Sequence, residues 1–195
     1  MQNRIITLAT DSLNLISQIA ESHTADIERV ARALIEALMQ DQRIFCCGNG
    51  ASSGNAQSFV SKMGNRFERE RPAFPVVQLG DIAVTTAIAA DGCFRDVFAR
   101  PLQALARTND VLLALSASGN ATNISQAARV MQENGGRVIA LTGAEGGELG
   151  RLLREEDIHL RLPGTSVPRV HEAQLFVLNC CCDLIDREFF GANDD

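Results

Sequence analysis

Two short polar loops carry the residue types in this chain best suited to holding an anion. The first is Gly48-Asn49-Gly50-Ala51-Ser52-Ser53-Gly54; the second is Ser116-Ala117-Ser118-Gly119-Asn120-Ala121-Thr122-Asn123. Each follows a short apolar run and leads into a helical pattern. Glycine lets the backbone turn tightly and approach a charged group closely. A helix start adds free N–H groups and the positive end of a dipole. Ser52, Ser53, Ser116 and Ser118 bring hydroxyls, and Asn49 and Asn120 bring amides. One such loop reads equally well as a plain turn with a helix cap. Two of them at the same edge of one sheet can converge on one phosphate, so a phosphorylated ligand is expected. No Gly-Lys-Ser/Thr follows either loop and neither is GxGxxG, so nothing points to ATP, to nicotinamide or to any other cofactor.

The remaining reactive side chains form no familiar constellation. His171 is followed by Glu172, but Leu175 stands where HExxH needs its second histidine. His171 therefore reads as a pocket residue, and no metal site is assigned. His23 and His159 have no motif around them. The six cysteines are Cys46, Cys47, Cys93, Cys180, Cys181 and Cys182, with no CxxC spacing. Adjacent cysteines are poor disulfide partners, which reads as reduced thiols in a cytoplasmic protein.

Something must position these loops. Arg43–Gly48, Pro75–Leu79, Val111–Ser116, Arg137–Thr142 and Asp157–Leu162 are short apolar runs. Helical stretches separate them: about 55–66, 83–90, 96–106, 123–133 and 147–154. This alternation predicts α/β architecture, a parallel sheet covered on both faces. Ligands on such sheets bind beyond the carboxyl ends of the strands, where strand order reverses. Apolar residues at helical spacing before the first strand (Leu13, Ile16, Ala20; then Ile27, Val30, Ala31, Leu34, Leu38) predict an N-terminal helical pair. A final helix is expected over about 167–189, with Ser166 as cap and Pro168 in its first turn.

The chain has 195 residues, no linker and no repeat, so a single domain over 1–195 is expected. Its formal net charge is −6 and no Lys/Arg stripe is present, which argues against direct nucleic-acid binding. No run is long enough to span a membrane, and polar Thr7, Thr10, Asp11 and Ser12 interrupt any signal-like start.

The segments CGNGASSGNAQSF, LSASGNATN, LTGAEGGEL and RVHEAQLFVLNCCCDLID resemble the phosphoheptose isomerase branch of the sugar isomerase (SIS) family. The similarity spans essentially the whole chain. It implies a three-layer αβα sandwich with a five-stranded parallel sheet, a homotetramer, and phosphosugar sites shared between subunits. Such enzymes interconvert aldose and ketose phosphates, which needs a metal or an acid/base pair to move a proton between carbons. The family pattern puts His and Glu at the positions of Ser58 and Lys62, and Gln and His at those of His171 and Asn179. All four differ here. An ammonium at Lys62 cannot ligate a cation and repels one. Arg169 and Glu172 match the pattern, but neither rebuilds a proton shuttle. Where the family reads Ser-Thr-Ser-Gly-Asn-Ser, Ala117 and Ala121 remove two hydroxyls, each worth roughly 1.5–3 kcal/mol of binding.

A second branch of the family fits better: bacterial proteins that associate with the replication initiator DnaA. They too carry Asn at the Asn179 position and lack the Glu, although they can retain the His that is Ser58 here. Shared features are Met1-Gln2 before Arg4-Ile5, Phe67-Glu68, Glu70-Arg71-Pro72, Val111-Leu112-Leu113-Ala114, Asp183-Leu184-Ile185-Asp186, Phe190 and Asp194-Asp195. This resemblance implies no catalytic residue and a homotetrameric adaptor that presents several copies of one surface to DnaA. Phosphosugar contacts would fall to Asn49, Gly50, Ser52, Ser53, Ser116, Ser118, Asn120 and His171. Phe189 and Phe190 match an apolar pair implicated in partner binding; sealing the core or a subunit interface is the other reading. Isomerisation of sedoheptulose 7-phosphate, or sensing of a phosphosugar without converting it, are the alternative functions.

Overall fold

The computed structural model describes residues 1–164 and 166–191; Asp194 and Asp195 lie outside the described residues. Two N-terminal helices, α1 (Gln2–Ser22) and α2 (Thr24–Met39), precede five strands. The strands are β1 (Ile44–Gly48), β2 (Val76–Gln78), β3 (Val111–Ser116), β4 (Arg137–Gly143) and β5 (Ile158–Leu162). Between them run α3 (Ala51–Gly64), α4 (Ile82–Ala90), α5 (Ala99–Leu105), α6 (Thr122–Glu133) and α7 (Gly147–Leu152), and α8 (Val167–Phe190) is the last element among the described residues.

Every strand pair is parallel and the order is β2-β1-β3-β4-β5. Side chains alternate across the pleat, so β1, β3 and β4 each feed two cores. Ile44, Cys46, Val111, Leu113, Leu115, Ile139 and Leu141 pack with α1, α2, α3 and α8. Phe45, Cys47, Leu112, Ala114, Val138 and Ala140 pack under α5, α6 and α7. That is a three-layer αβα sandwich with the helical pair laid on one outer layer. The chain steps outward from β1 to β2, then returns to β3, so strand order reverses between β1 and β3. Both polar loops leave the sheet at that seam.

Three local features depart from the sequence reading. Helix α3 begins at Ala51 rather than near Asn55, because Gly50 at φ +54° turns the chain and the Ser52 and Ser53 amides bond at once to Asn49 and Gly50 carbonyls. Ser52 and Ser53 therefore sit in the first helical turn. The expected helix over 96–106 is broken into a 3-10 turn, Phe94–Asp96, and α5; Pro101 lacks the N–H that would bond back to Val97. Ser166 occupies the N-cap position of α8, but its side chain makes no capping bond there; Pro168 does stand in the first turn.

Candidate functional site

At the seam, the two loops are fastened together by a closed pair of amides. Asn49 Nδ2 donates to Asn123 Oδ1 at 2.9 Å, and Asn123 Nδ2 returns the bond to Asn49 Oδ1 at 2.9 Å. Asn123 is buried in the first turn of α6, and its Oδ1 also accepts the Ile124 amide. The second loop is pinned on its other side as well. Asn120 Oδ1 accepts the Glu148 amide at the start of α7, and the Leu149 amide donates to the Gly119 carbonyl at 2.8 Å. Gly119 (φ +69°) lies so close to the Gly146 carbonyl that any Cβ would collide with it. Loops from β1, β3 and β4 are thus drawn to one place at the carboxyl edge.

The expected ligand residues divide there. Ser118 and Asn120 are exposed. Ser116 Oγ accepts the Gly119 amide and Ser118 Oγ accepts the Asn120 amide; acceptance leaves each hydroxyl proton free to donate. Asn49 is half-buried and Gly50 exposed. Ser52 turns inward instead: it is 2% exposed and donates to Gln174 Oε1 at 3.0 Å. Ser53 Oγ accepts Gln78 Nε2 at 3.2 Å, which ties α3 to β2. His171 is half-buried on α8, and its carbonyl accepts Asn55 Nδ2 at 2.9 Å.

Of the four positions where the resemblance implies a cation site, the fold brings two into contact. Lys62 Nζ donates to Asn179 Oδ1 at 2.5 Å, and lies 5.7 Å from the Phe67 ring centre. Asn179 also lines an open groove of about 890 Å³ between α2, α8 and Phe67. These donors do not fit a divalent metal. The ammonium carries the wrong charge, and the amide oxygen already accepts from it. Among the described residues no three His, Cys, Asp or Glu side chains converge as a ligand set. The neighbouring Cys182 offers no thiolate either: burial pushes it up to about 12 even beside the Lys62 charge. Arg169 and Glu172 pair at 2.7 Å and turn to Ser12 of α1, fastening the N-terminal helix to α8.

Several residues that shape the site were not singled out from the sequence. Gln174 is fully buried and bridges Ser52 on α3 to the Leu141 carbonyl on β4. Its only signal is a polar side chain on the apolar stripe of α8. Asn123 stood in the second loop without an assigned task. Arg71 and Asp186 form a buried ion pair, 2.7 Å from Nε to Oδ1. On the far side of the sheet His159 Nε2 lies 2.8 Å from Thr142 Oγ1; burial, then the Arg161 charge, hold the imidazole below its usual value.

The SIS domain pattern matches residues 9–143. With a site at the β1/β3 seam and a five-stranded parallel sheet under α1 and α2, this chain belongs to the SIS-domain family, in the group that holds phosphoheptose isomerases and the DiaA proteins. It is 41% identical over 196 aligned residues to the DnaA initiator-associating protein DiaA of Shigella flexneri serotype 5b, covering 100% of both chains. It is 37% identical over 194 residues to the phosphoheptose isomerase of Chromohalobacter salexigens, covering 99% of this chain and 98% of that one. The solved phosphoheptose isomerase structure from Francisella tularensis superposes with a TM-score of 0.92 at 34% identity, covering 95% of this chain and 98% of that chain. No described helix is long and apolar enough to cross a membrane.

Proposed function

We propose that this chain is a non-catalytic, cytoplasmic SIS-domain adaptor that assembles as a homotetramer and binds the initiator DnaA. One observation carries the reading. The Lys62 ammonium is bonded to Asn179 Oδ1 at 2.5 Å, at positions where the resemblance puts cation-holding groups. An ammonium bonded to that amide leaves neither a ligand set for a Lewis acid nor the family's acid/base pair to move a proton between sugar carbons. What remains useful is the assembly. Several copies of one surface on one particle raise the effective concentration of bound initiators and favour their assembly at an origin. Phe189 and Phe190 at the end of α8 are the contact pair in this reading; Phe190 is exposed. The 41% identity to a DnaA initiator-associating protein supports the choice of partner.

The test is a pull-down of DnaA from the same cell by tagged chain at micromolar concentration, run beside an isomerase assay on sedoheptulose 7-phosphate with and without zinc. Capture of DnaA without turnover is expected. Turnover with stoichiometric zinc, and no capture, would replace this reading with the isomerase. A phosphosugar-binding role alongside the adaptor role is supported by the exposed Ser118 and Asn120 and the unspent hydroxyl protons of Ser116 and Ser118. It would use Asn49, Gly50, Ser53, Ser116, Ser118, Asn120 and His171; the Ser52 hydroxyl, expected from the sequence to join them, is held inward on Gln174. Thermal stabilisation by sugar phosphates reads it directly.

A further inference from the structure

Arg71 lies in the stretch between α3 and β2, and its side chain is 0% exposed. A guanidinium has five N–H donors in a rigid fork and must spend them when buried. Here Nε donates to Asp186 Oδ1 on α8 at 2.7 Å. Nη2 donates to the Lys62 carbonyl at 2.8 Å, and Nη1 to the Met63 carbonyl at 2.9 Å and the Pro72 carbonyl at 3.0 Å. The Lys62 and Met63 carbonyls belong to the last turn of α3, whose acceptors have no partner further along the helix. The cation therefore caps α3 and grips α8 at once.

The Cζ of the same guanidinium lies over the Phe74 ring, 4.5 Å from its centre. Phe74 meets Phe189 edge-on, with ring centres 4.9 Å apart, and stands 6.1 Å from Phe190. Arg69 adds a bond to the Gly191 carbonyl at 2.7 Å, where α8 ends. The Phe189–Phe190 surface thus rests on Phe74, and Phe74 rests on Arg71.

Lys62 appears twice in this arrangement. Its side chain holds Asn179 on α8, and its carbonyl is held by Arg71, which holds Asp186. Asn179 and Asp186 are two helical turns apart, on one face of α8. Two rungs therefore brace α3 against α8, and the second rung carries the aromatic platform. Asp186 Oδ2 is buried without a hydrogen-bond partner among the described residues. The carboxylate is therefore held from one side, by Arg71.

We propose that Arg71 is the positioning residue of the Phe189–Phe190 surface, and that it ties that surface to the Lys62–Asn179 pair. A displacement of Lys62, by substitution or by a ligand drawing its ammonium away from Asn179, moves the carbonyl that Arg71 grips and so moves Phe74 and the two phenylalanines. The assignment of a partner to this surface rests on the adaptor reading; the linkage itself does not.

The chain has no Trp and no Tyr, so Phe190→Trp gives a single fluorescent reporter on the surface in the otherwise intact chain. Its emission maximum and acrylamide quenching are measured well below the melting temperature, in the F190W chain and with Arg71→Lys, Asp186→Asn, Lys62→Met and, as a control across the sheet, His159→Gln. Arg71→Lys keeps the charge and loses the fork, and Asp186→Asn keeps the shape. A red shift and stronger quenching are expected for R71K, D186N and K62M, and no change for H159Q. A merely destabilised but folded chain would leave the reporter where it was. In chains with native Phe190, R71K should weaken DnaA binding about tenfold, the size expected when an interface aromatic loses its support. An unchanged indole signal in folded R71K and D186N overturns the positioning role; an unchanged signal in K62M overturns the tie to Lys62. A responsive indole reporter in a chain that never binds DnaA upholds the linkage and removes the adaptor reading. Equal DnaA binding by native and R71K chains removes Arg71 as the support of that contact.

Discussion

The Asn49–Asn123 amide pair provides the sharpest stability prediction. Asn123→Ala removes both reciprocal bonds, each 2.9 Å long, and also the Oδ1 that accepts the Ile124 amide, which keeps the Ala121 carbonyl as its acceptor. At about 0.5–1.5 kcal/mol net for a neutral hydrogen bond, the two together contribute roughly 1–3 kcal/mol. The Asn49 amide is then stranded, but it is only half-buried and regains some water, so its penalty falls near the low end, about 1 kcal/mol. The expected loss is roughly 2–4 kcal/mol, or about 4–16 °C in melting temperature for a chain of this size. The assay is a double-mutant cycle of Asn49→Ala, Asn123→Ala and the double variant, by urea unfolding at one fixed protein concentration, because assembly also stabilises by mass action. The pair should show a coupling of about 1–3 kcal/mol, with the second substitution costing far less than the first. Single losses that simply add, within about 0.5 kcal/mol, would mean the two loops are held by something other than this clasp.

Two further outcomes follow from titrating groups that burial shifts. His159 has a folded pKa below its ordinary 6.5, so below pH 6.5 the unfolded chain takes up a proton that the folded chain resists. Its contribution is complete above 6.5 and is lost as pH falls from there toward the folded pKa; urea unfolding between about pH 8 and about pH 5 should show a shallower acid loss for His159→Gln than for the native chain, and parallel curves would refute it. Cys46, Cys47, Cys181 and Cys182 are buried, and burial raises each thiol, so a maleimide probe read by mass should modify exposed Cys93 first and these four only on unfolding. Rapid labelling of the four in the folded chain would contradict that packing.

Periodicity made the five strands, the helical pair and the long last helix legible before any coordinates, because side-chain alternation and helical spacing are local properties. Boundaries were less legible. The start of α3 hung on a single left-handed glycine at position 50, and the break before α5 on a missing N–H at Pro101. The two polar loops were visible as glycine and serine next to helix starts, and the fold does bring both to the β1/β3 seam. Their separate tasks were not visible. Ser52 and Ser53 are adjacent and chemically alike, yet one is spent on buried Gln174 and the other on Gln78.

The amino-acid sequence alone determined the αβα architecture and the absence of a carboxylate at position 62. Only the tertiary structure decided what the replacements do. Lys62 meets Asn179 from 117 positions away, and Arg71 meets Asp186 from 115. Residue type sets which bonds a side chain can make. Which partner is within about 3 Å is set by how α3 and α8 pack on the sheet, and that is a property of the whole core rather than of any neighbourhood in the chain.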